Sequence, residues 1–483
     1  MIRQAEVRVY FEAVLHSEMG RSMFAPDAFL GPENLKQFTP ASGLGVQAAT
    51  ILQSLGFKVQ HIGTFSISGN GPRGLWEKVF GTKVEKRSRL FSEAHLQIGK
   101  ISYWSHIAGA PFTIPDTLKG LVERAYPQLP PTFFESPLPP RVRYHHLRVP
   151  ADIAMVFRSI PVHKLSVTGK GVLVAMPDTG FYKHPFYAWH GYNYSATLSP
   201  DAIRVEKDEY GHGTAEAANI FANAPDIDFV GVKMGGNTTL AFKTASDLYP
   251  AVMTNSWGYD LGGATSLPNY LKPLEAAVIE AVRTRGIIVC FSAGNGQVSF
   301  PGMMPDVISV GGVYAHEGLE GNDFELEASD YASSFDSLIY PGRHVPDVCG
   351  LVGMQPRGIY ILLPVEPGDT IDTGLAGSRY PKKDETAPDD GWAVISGTSA
   401  ASPQVAGVCA LLKQVQPGLS PDLIKAILRA SARDVKKGQS RMGQPAGEGF
   451  DGATGAGLVD AYAAYKLARS VTPRNLSALP SPR

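Results

Sequence analysis

Asp178, His212, Asn295 and Ser399 are the residues of this chain whose types and surroundings point to chemistry. Asp178 closes an apolar run in "VAMPDTG", His212 opens a helical run in "YGHGT", and Asn295 follows an apolar run in "SAGNG". Ser399 begins "SAASPQVAGVCALLKQ", a helical run that tolerates Pro403 in its first turn. Singly, each fragment has an ordinary explanation, because Asp-Thr-Gly makes a turn and Gly-Thr-Ser makes an N-cap. Together they supply an acid, a base, an amide donor and a nucleophile, the set that acyl transfer to water requires. A serine hydroxyl is a weak nucleophile until a base within hydrogen-bond reach takes its proton. His212 does this near neutral pH, a carboxylate on its far ring nitrogen holds the tautomer, and Asn295 meets the developing oxyanion.

Glu216 competes for the orienting role. It follows His212 by four residues in "GHGTAEAAN", about one helical turn, so the two side chains can touch. The plainer reading makes it a solvated acid on the helix face.

The elements that must position these residues are legible as a change of grammar near residue 166. Short apolar strands ("GVLVAMPD", "IDFVGVKM", "AVMTNSWG", "GIIVCFSAGN", "VISVGG") alternate with helical stretches. That pattern predicts an α/β fold, a doubly wound and mostly parallel sheet with helices on both faces. Ligand chemistry in such folds gathers at the carboxyl ends of the strands, where Asp178 and Asn295 fall.

Residues 1–130 read as a separate, ferredoxin-like α/β plait. The expected order is a strand in "EVRVYFEA", a helix in "GVQAATILQSLGF" with Val46, Ala49 or Ile51, Leu52 and Leu55 inward, and a strand in "FKVQHIGTFSIS". A short helix in "GPRGLWEKVFG", strands in "TKVEKRSRLF" and "LQIGKISYW", and a closing helix in "IPDTLKGLVERAY" complete it. Residues 131–165 are dense in proline and read as an extended linker, residues 166–470 as the larger domain, and residues 471–483 as a disordered tail.

Lys+Arg 44 against Asp+Glu 45 gives a formal net charge of -1, so no global field draws in nucleic acid or an anionic membrane. Cys290, Cys349 and Cys409 are widely spaced and suit core packing rather than a disulfide framework. The N-terminus shows no apolar signal region and no run reaches membrane-spanning length, which makes a cytoplasmic location the expectation.

"DTGFYKHP", "GHGT", "NSWG", "SAGNG" and "GTSAASPQVAG", in that order over roughly residues 166–468, resemble the catalytic motifs of the subtilisin-like serine proteases, the subtilases. The resemblance implies Asp178, His212 and Ser399 as a triad, with Asn295 and the Ser399 N–H as oxyanion hole. It also implies a substrate-pairing edge at Ser256, Trp257 and Gly258, with Trp257 bordering the cleft, beside the plainer reading of a core tryptophan. The implied activity is that of an endopeptidase acting on proteins or peptides, with no cofactor required for catalysis. "GQVSFPGMMPDVISVGG" matches the segment that forms the pocket for the side chain preceding the scissile bond. Ser299 lies near its floor, and the lack of an acid there favours an uncharged or apolar residue.

"LWEKVFGTKVEKR" and "FTIPDTLKGLVERAY" are similar to the propeptide of the sedolisins, which assists folding and blocks the cleft. This implies a zymogen whose N-terminal unit is a partner in cis, with self-cleavage in the linker. His212 and Asn295 stand where sedolisins carry Glu and Asp, so the mixture reads as subtilase chemistry behind a sedolisin-like unit. "ARDVKKG" and "GEGFDGATGAG" resemble the sedolisin calcium loop, with Asp434 and Asp451 as candidate ligands, although Lys436 and Lys437 crowd it. Residues 343–392 exceed what a minimal subtilase needs, and either reshape the cleft or elaborate the surface. Two other readings stand beside the triad: a Ser-His-Glu arrangement oriented by Glu216, and a scaffold that binds peptides without cutting.

Overall fold

Alternating side chains of the central strands enter two different cores. In Leu173–Asp178, Val174 and Met176 join one core and Ala175 the other; in Ile288–Ser292, Cys290 joins the first while Val289 and Phe291 join the second. Burial on both faces is why these strands read as unbroken apolar runs. The computed structural model describes residues 8–93, 96–133, 146–316, 325–354, 360–377 and 383–471.

Among the described residues, the central sheet runs Asn193–Leu198, Asp228–Lys233, Leu173–Asp178, Val252–Asn255, Ile288–Ser292, Ile308–Ala315, Leu326–Ala328, with Val348–Leu351 also paired to Ile308–Ala315. Every pairing is parallel except that of Leu326–Ala328. Helices His212–Asn223 and Thr398–Val415 cover one face, and Thr238–Ser246 and Lys272–Ile279 the other. All residues of His212–Asn223 are buried, which explains a helix rich in small residues, four Ala and a Gly, rather than one with a solvated polar face. It packs on Thr398–Val415 so closely that a Cβ at Gly407 would stand 2.7 Å from the Ile220 carbonyl oxygen.

The N-terminal unit has a four-stranded antiparallel sheet in the order Lys58–Ile62, Ser66–Gly71, Val9–Leu15, Val122–Pro127. With helices Leu44–Ser54 and Arg73–Val79 this is the strand order of a β-α-β-β-α-β unit, carrying a long hairpin, Val84–Glu93 with Leu96–His106. Three local expectations change. "IPDTLKGLVERAY" forms a 3-10 turn, Asp116–Leu118, and then a strand instead of a closing helix. Gly120 at φ +80° ends the turn, and pairing with Val9–Leu15 satisfies backbone groups that a helix would leave on an open sheet edge. "FKVQHIGTFSIS" is two strands of a hairpin, not one. Val46 is 60% exposed, because Leu44–Ser54 turns Ala48, Ala49 and Leu52 inward.

The linker boundary at 165 also moves. Strand His146–Arg148 pairs parallel with Tyr360–Leu362, and Ile153, Val156 and Val162 of the next two helices enter the larger core. The remainder of the predicted linker, 134–145, and the tail from 472 lie outside the described residues. All three cysteines are free and buried. Among the described residues no helix is long and apolar enough to cross a membrane.

Candidate active site

Asp178 ends its strand and His212 begins its helix, and both side chains are fully buried. His212 Nδ1 donates to Asp178 Oδ1 at 2.6 Å, and the Thr179 N–H donates to the same oxygen at 2.7 Å. Gly213 permits this approach. A Cβ there would collide with the Gly180 carbonyl oxygen and stand 3.0 Å from Asp178 Cβ, so the second glycine of "GHGT" lets the helix press against the Asp178 turn.

Glu216 is not the solvated acid of the plainer reading. It is 1% exposed, inside a helix covered on every side, and its Oε2 accepts Asn219 Nδ2 at 2.9 Å. Asp178 already holds the Nδ1 position of the imidazole.

Ser399 is the second residue of Thr398–Val415, where the first-turn N–H groups have no intrahelical acceptor. Its Oγ donates to the Ser256 carbonyl at 3.2 Å, and Ser256 Oγ returns a bond to the Ser399 carbonyl at 2.7 Å. Asn295 Oδ1 accepts the Thr398 N–H at 3.0 Å and the Thr398 hydroxyl at 3.2 Å. Two donors on the oxygen set the orientation of the amide and leave Nδ2 as its donor end. Thr398 was not singled out by sequence, and its place beside Ser399 in "GTS" was the signal available.

The strand Trp257–Asp260 is the middle of three. Tyr259 and Asp260 pair antiparallel with Phe300 and Ser299. Trp257 and Gly258 pair antiparallel with Phe133 and Thr132, so the edge expected to receive substrate carries the chain's own segment. The expectation that the Trp257 ring borders the cleft is corrected. The ring is fully buried, Nε1 donates to the Pro177 carbonyl at 3.0 Å, and Phe291 packs on it edge-on at 5.2 Å. Its indole N–H finds a carbonyl on Leu173–Asp178 of the central sheet, and its backbone pairs with Phe133. Ser299 is fully buried, and its hydroxyl has no partner among the described residues.

The segment around 360–395 reaches the site. Tyr360–Pro364 and Trp392–Ile395 pair antiparallel, and helix Thr370–Leu375 lies between them in sequence. Thr370 and Ile371 donate N–H bonds to the carbonyls of Glu209 and Tyr210 at 3.2 and 3.1 Å, just before His212. Asp369 packs so close to Gly211 that any Cβ there would collide with its carboxylate. Burial first, then Asp208 and Asp372, push the Asp369 pKa up to about 9 against the Asp372 and Glu366 N–H bonds.

Asp434 and Asp451 do not fit a calcium ion. Asp451 accepts four bonds, from the N–H groups of Gly447, Ala453 and Thr454 and the Thr454 hydroxyl. Asp434 accepts the Gly449 N–H at 3.1 Å and stands 3.8 Å from Lys436 Nζ. Turn closure thus takes the oxygens that a hard cation would need. No group of three or more His, Cys, Asp or Glu able to hold a metal ion occurs among the described residues.

The family model described as Subtilase family matches residues 169–457. Serine protease AprX of Bacillus subtilis (strain 168) is 29% identical over 296 residues, which cover 55% of this chain and 62% of AprX. Subtilisin BL of Lederbergia lenta is 26% identical over 330 residues, 66% of this chain and 99% of that protein. Fervidolysin from Fervidobacterium pennivorans, described as a keratinolytic enzyme related to subtilisin, matches in structure with a TM-score of 0.53 at 18% identity, over 96% of this chain and 62% of its own. The chain therefore spans 62% of AprX and of fervidolysin, and the latter likeness bears on fold alone.

Proposed function

Because the chain belongs to the subtilase family, we propose that it is a serine endopeptidase, made as a zymogen and held silent by its N-terminal unit. The observation that carries the catalytic reading is the buried 2.6 Å bond between His212 Nδ1 and Asp178 Oδ1, His212 opening a helix that packs against the one bearing Ser399.

In this mechanism Ser399 Oγ attacks the carbonyl carbon of the scissile bond as His212 Nε2 takes its proton. Asp178 stabilises the imidazolium and keeps the proton on Nδ1. The carbonyl oxygen becomes an oxyanion, met by Asn295 Nδ2 and the Ser399 N–H at the helix N-terminus. His212 then protonates the leaving amine, and water attacks the acyl-enzyme by the same route in reverse. Labelling by a fluorophosphonate tests the assignment. Labelling of a wild type freed of its N-terminal unit, lost in Ser399→Ala, is expected, and a wild type that stays unlabelled once freed would instead support the peptide-binding scaffold.

The zymogen reading is supported by the segment Thr132–Phe133 on the Trp257–Gly258 edge, an arrangement of β-augmentation in cis. Its antiparallel register runs from Gly258 through Trp257 towards Ser256, the residue bonded to Ser399. The bond after Phe134, itself outside the described residues, is therefore the one proposed for self-cleavage. Intact-mass measurement checks this: wild type should yield a product beginning at Glu135, and Ser399→Ala should stay whole. A wild type that remains uncut would make the N-terminal unit a permanent regulator.

A further inference from the structure

Asp208 precedes His212 by four residues, is fully buried, and accepts four hydrogen bonds, two at each oxygen. Oδ1 accepts Thr179 Oγ1 at 2.8 Å and the Gly211 N–H at 2.9 Å. Oδ2 accepts the Thr214 N–H at 2.8 Å and Thr214 Oγ1 at 2.7 Å. These donors belong to two elements. Thr179 follows Asp178, donates its N–H to Asp178 Oδ1, and accepts the Gly213 N–H on its hydroxyl at 3.0 Å. Gly211 and Thr214 bracket His212 at the start of its helix, whose N-cap residue, Gly211, has no side chain to cap it.

One carboxylate thus joins the turn that carries Asp178 to the helix start that carries His212. Thr214 Oγ1 also accepts the Tyr182 N–H at 2.9 Å, which ties in the far end of the same turn. From outside, Glu366 accepts the Asp208 N–H at 2.6 Å, so the loop is held on both sides.

We propose that Asp208 is a positioning residue for the reaction. It fixes the mutual placement of Asp178 and His212 before substrate arrives, acting through Thr179, Gly211 and Thr214 rather than on the reacting atoms. This rests on the triad reading above. Four donors converge on the carboxylate, so the position demands an acceptor at both oxygens. An amide cannot replace it, because its NH2 would face two of those donors. Asp178 and His212 would then lose their common anchor, and misplacement of a catalytic pair by about 1 Å costs about 10²-fold in rate.

The test measures kcat and KM for a peptide substrate, with active sites counted by fluorophosphonate titration, in wild type, Asp208→Asn and Thr179→Val. Asp208→Asn is expected to lower kcat per titrated site by about 10²-fold with KM within about twofold. Thr179→Val removes one linking hydroxyl and is expected to lower kcat by about tenfold in the same pattern. If both variants keep wild-type kcat per titrated site and lose only melting temperature or titratable fraction, Asp208 is structural and the proposal fails. Should Asp208→Asn not fold, Thr179→Val decides between the same outcomes. A wild type that, freed of its N-terminal unit, is not labelled at Ser399 overturns the triad reading instead, which separates that failure from this one.

Discussion

The imidazole of His212 has one nitrogen facing Asp178, and that single bond ranks the acids around it. Asp178→Asn is expected to lower kcat by about 10⁴-fold, because the amide favours the wrong tautomer. Glu216→Gln is expected to cost less than about tenfold, its carboxylate being committed to Asn219. The reverse order in a steady-state assay would restore the Ser-His-Glu arrangement. Asn295→Ala, removing one oxyanion donor, is expected to lower kcat by about 10²–10³-fold. Asp369 supplies a pH test at the same scale. The unfolded carboxyl ionises in the ordinary range while the folded one keeps its proton until about pH 9, so folding takes up a proton between those limits. Its contribution to stability therefore falls as pH rises through that window. The melting temperature of Asp369→Asn relative to wild type should climb steadily from pH 5 to pH 9, and a flat difference would refute the shift.

Two helix starts and one inserted segment form the next level. His212 and Ser399 sit at the first turns of helices whose separation is set at Gly407, against the Ile220 carbonyl. Gly407→Val overfills that crossing, and is expected to cost about 1–3 kcal/mol of stability and to lower activity with it. Thermal unfolding read beside kcat checks both. The longer segment is more than surface ornament: its Asp369–Ile371 stretch bonds to residues 209 and 210 and packs on Gly211, so it braces the loop that leads into His212.

At the scale of the molecule, a buried ion pair joins the N-terminal unit to the larger domain. Glu12, fully buried on strand Val9–Leu15, accepts Ser66 Oγ at 2.6 Å, Asn237 Nδ2 at 3.0 Å and Lys243 Nζ at 3.0 Å. Burial raises its pKa, but Lys243 and the bonds from Ser66, Ser68 and Asn237 outweigh it and hold the carboxyl below the usual range. The folded protein thus binds this proton less tightly than the unfolded chain, and protonation removes the charge that Glu12 offers to Lys243 across the interface. Docking is strongest above the ordinary carboxylate range and weakens as pH falls through it. Breaking such a pair costs about 3–5 kcal/mol. In a Ser399→Ala chain, protection of the Trp257–Asp260 amides relative to their intrinsic exchange rates should fall at pH 4, and Glu12→Gln should lower it likewise at pH 7. Unchanged protection in both would mean that this pair does not hold the unit in place.

The chemistry-bearing residues were legible because their signals are local. An acid at the end of an apolar run, or a serine at the start of a helical one, is marked by its immediate neighbours, and the alternation of runs predicts the parallel sheet. Pairing is not local. Whether "GLVERAY" is helix or strand depended on the open edge of Val9–Leu15, more than a hundred residues earlier. Whether the Trp257 ring faced cleft or core depended on the carbonyl of Pro177. The bond to Nδ1 depended on a carboxylate 34 residues away from His212 in sequence. Asp208 drew no notice, since the bond that ties it to the Asp178 turn comes from Thr179, 29 residues earlier. Sequence by itself determined which side chains are available and which elements carry them. Only the tertiary structure decided which of them meet, because hydrogen-bond partners and buried faces are set by chain segments distant in sequence and adjacent in space.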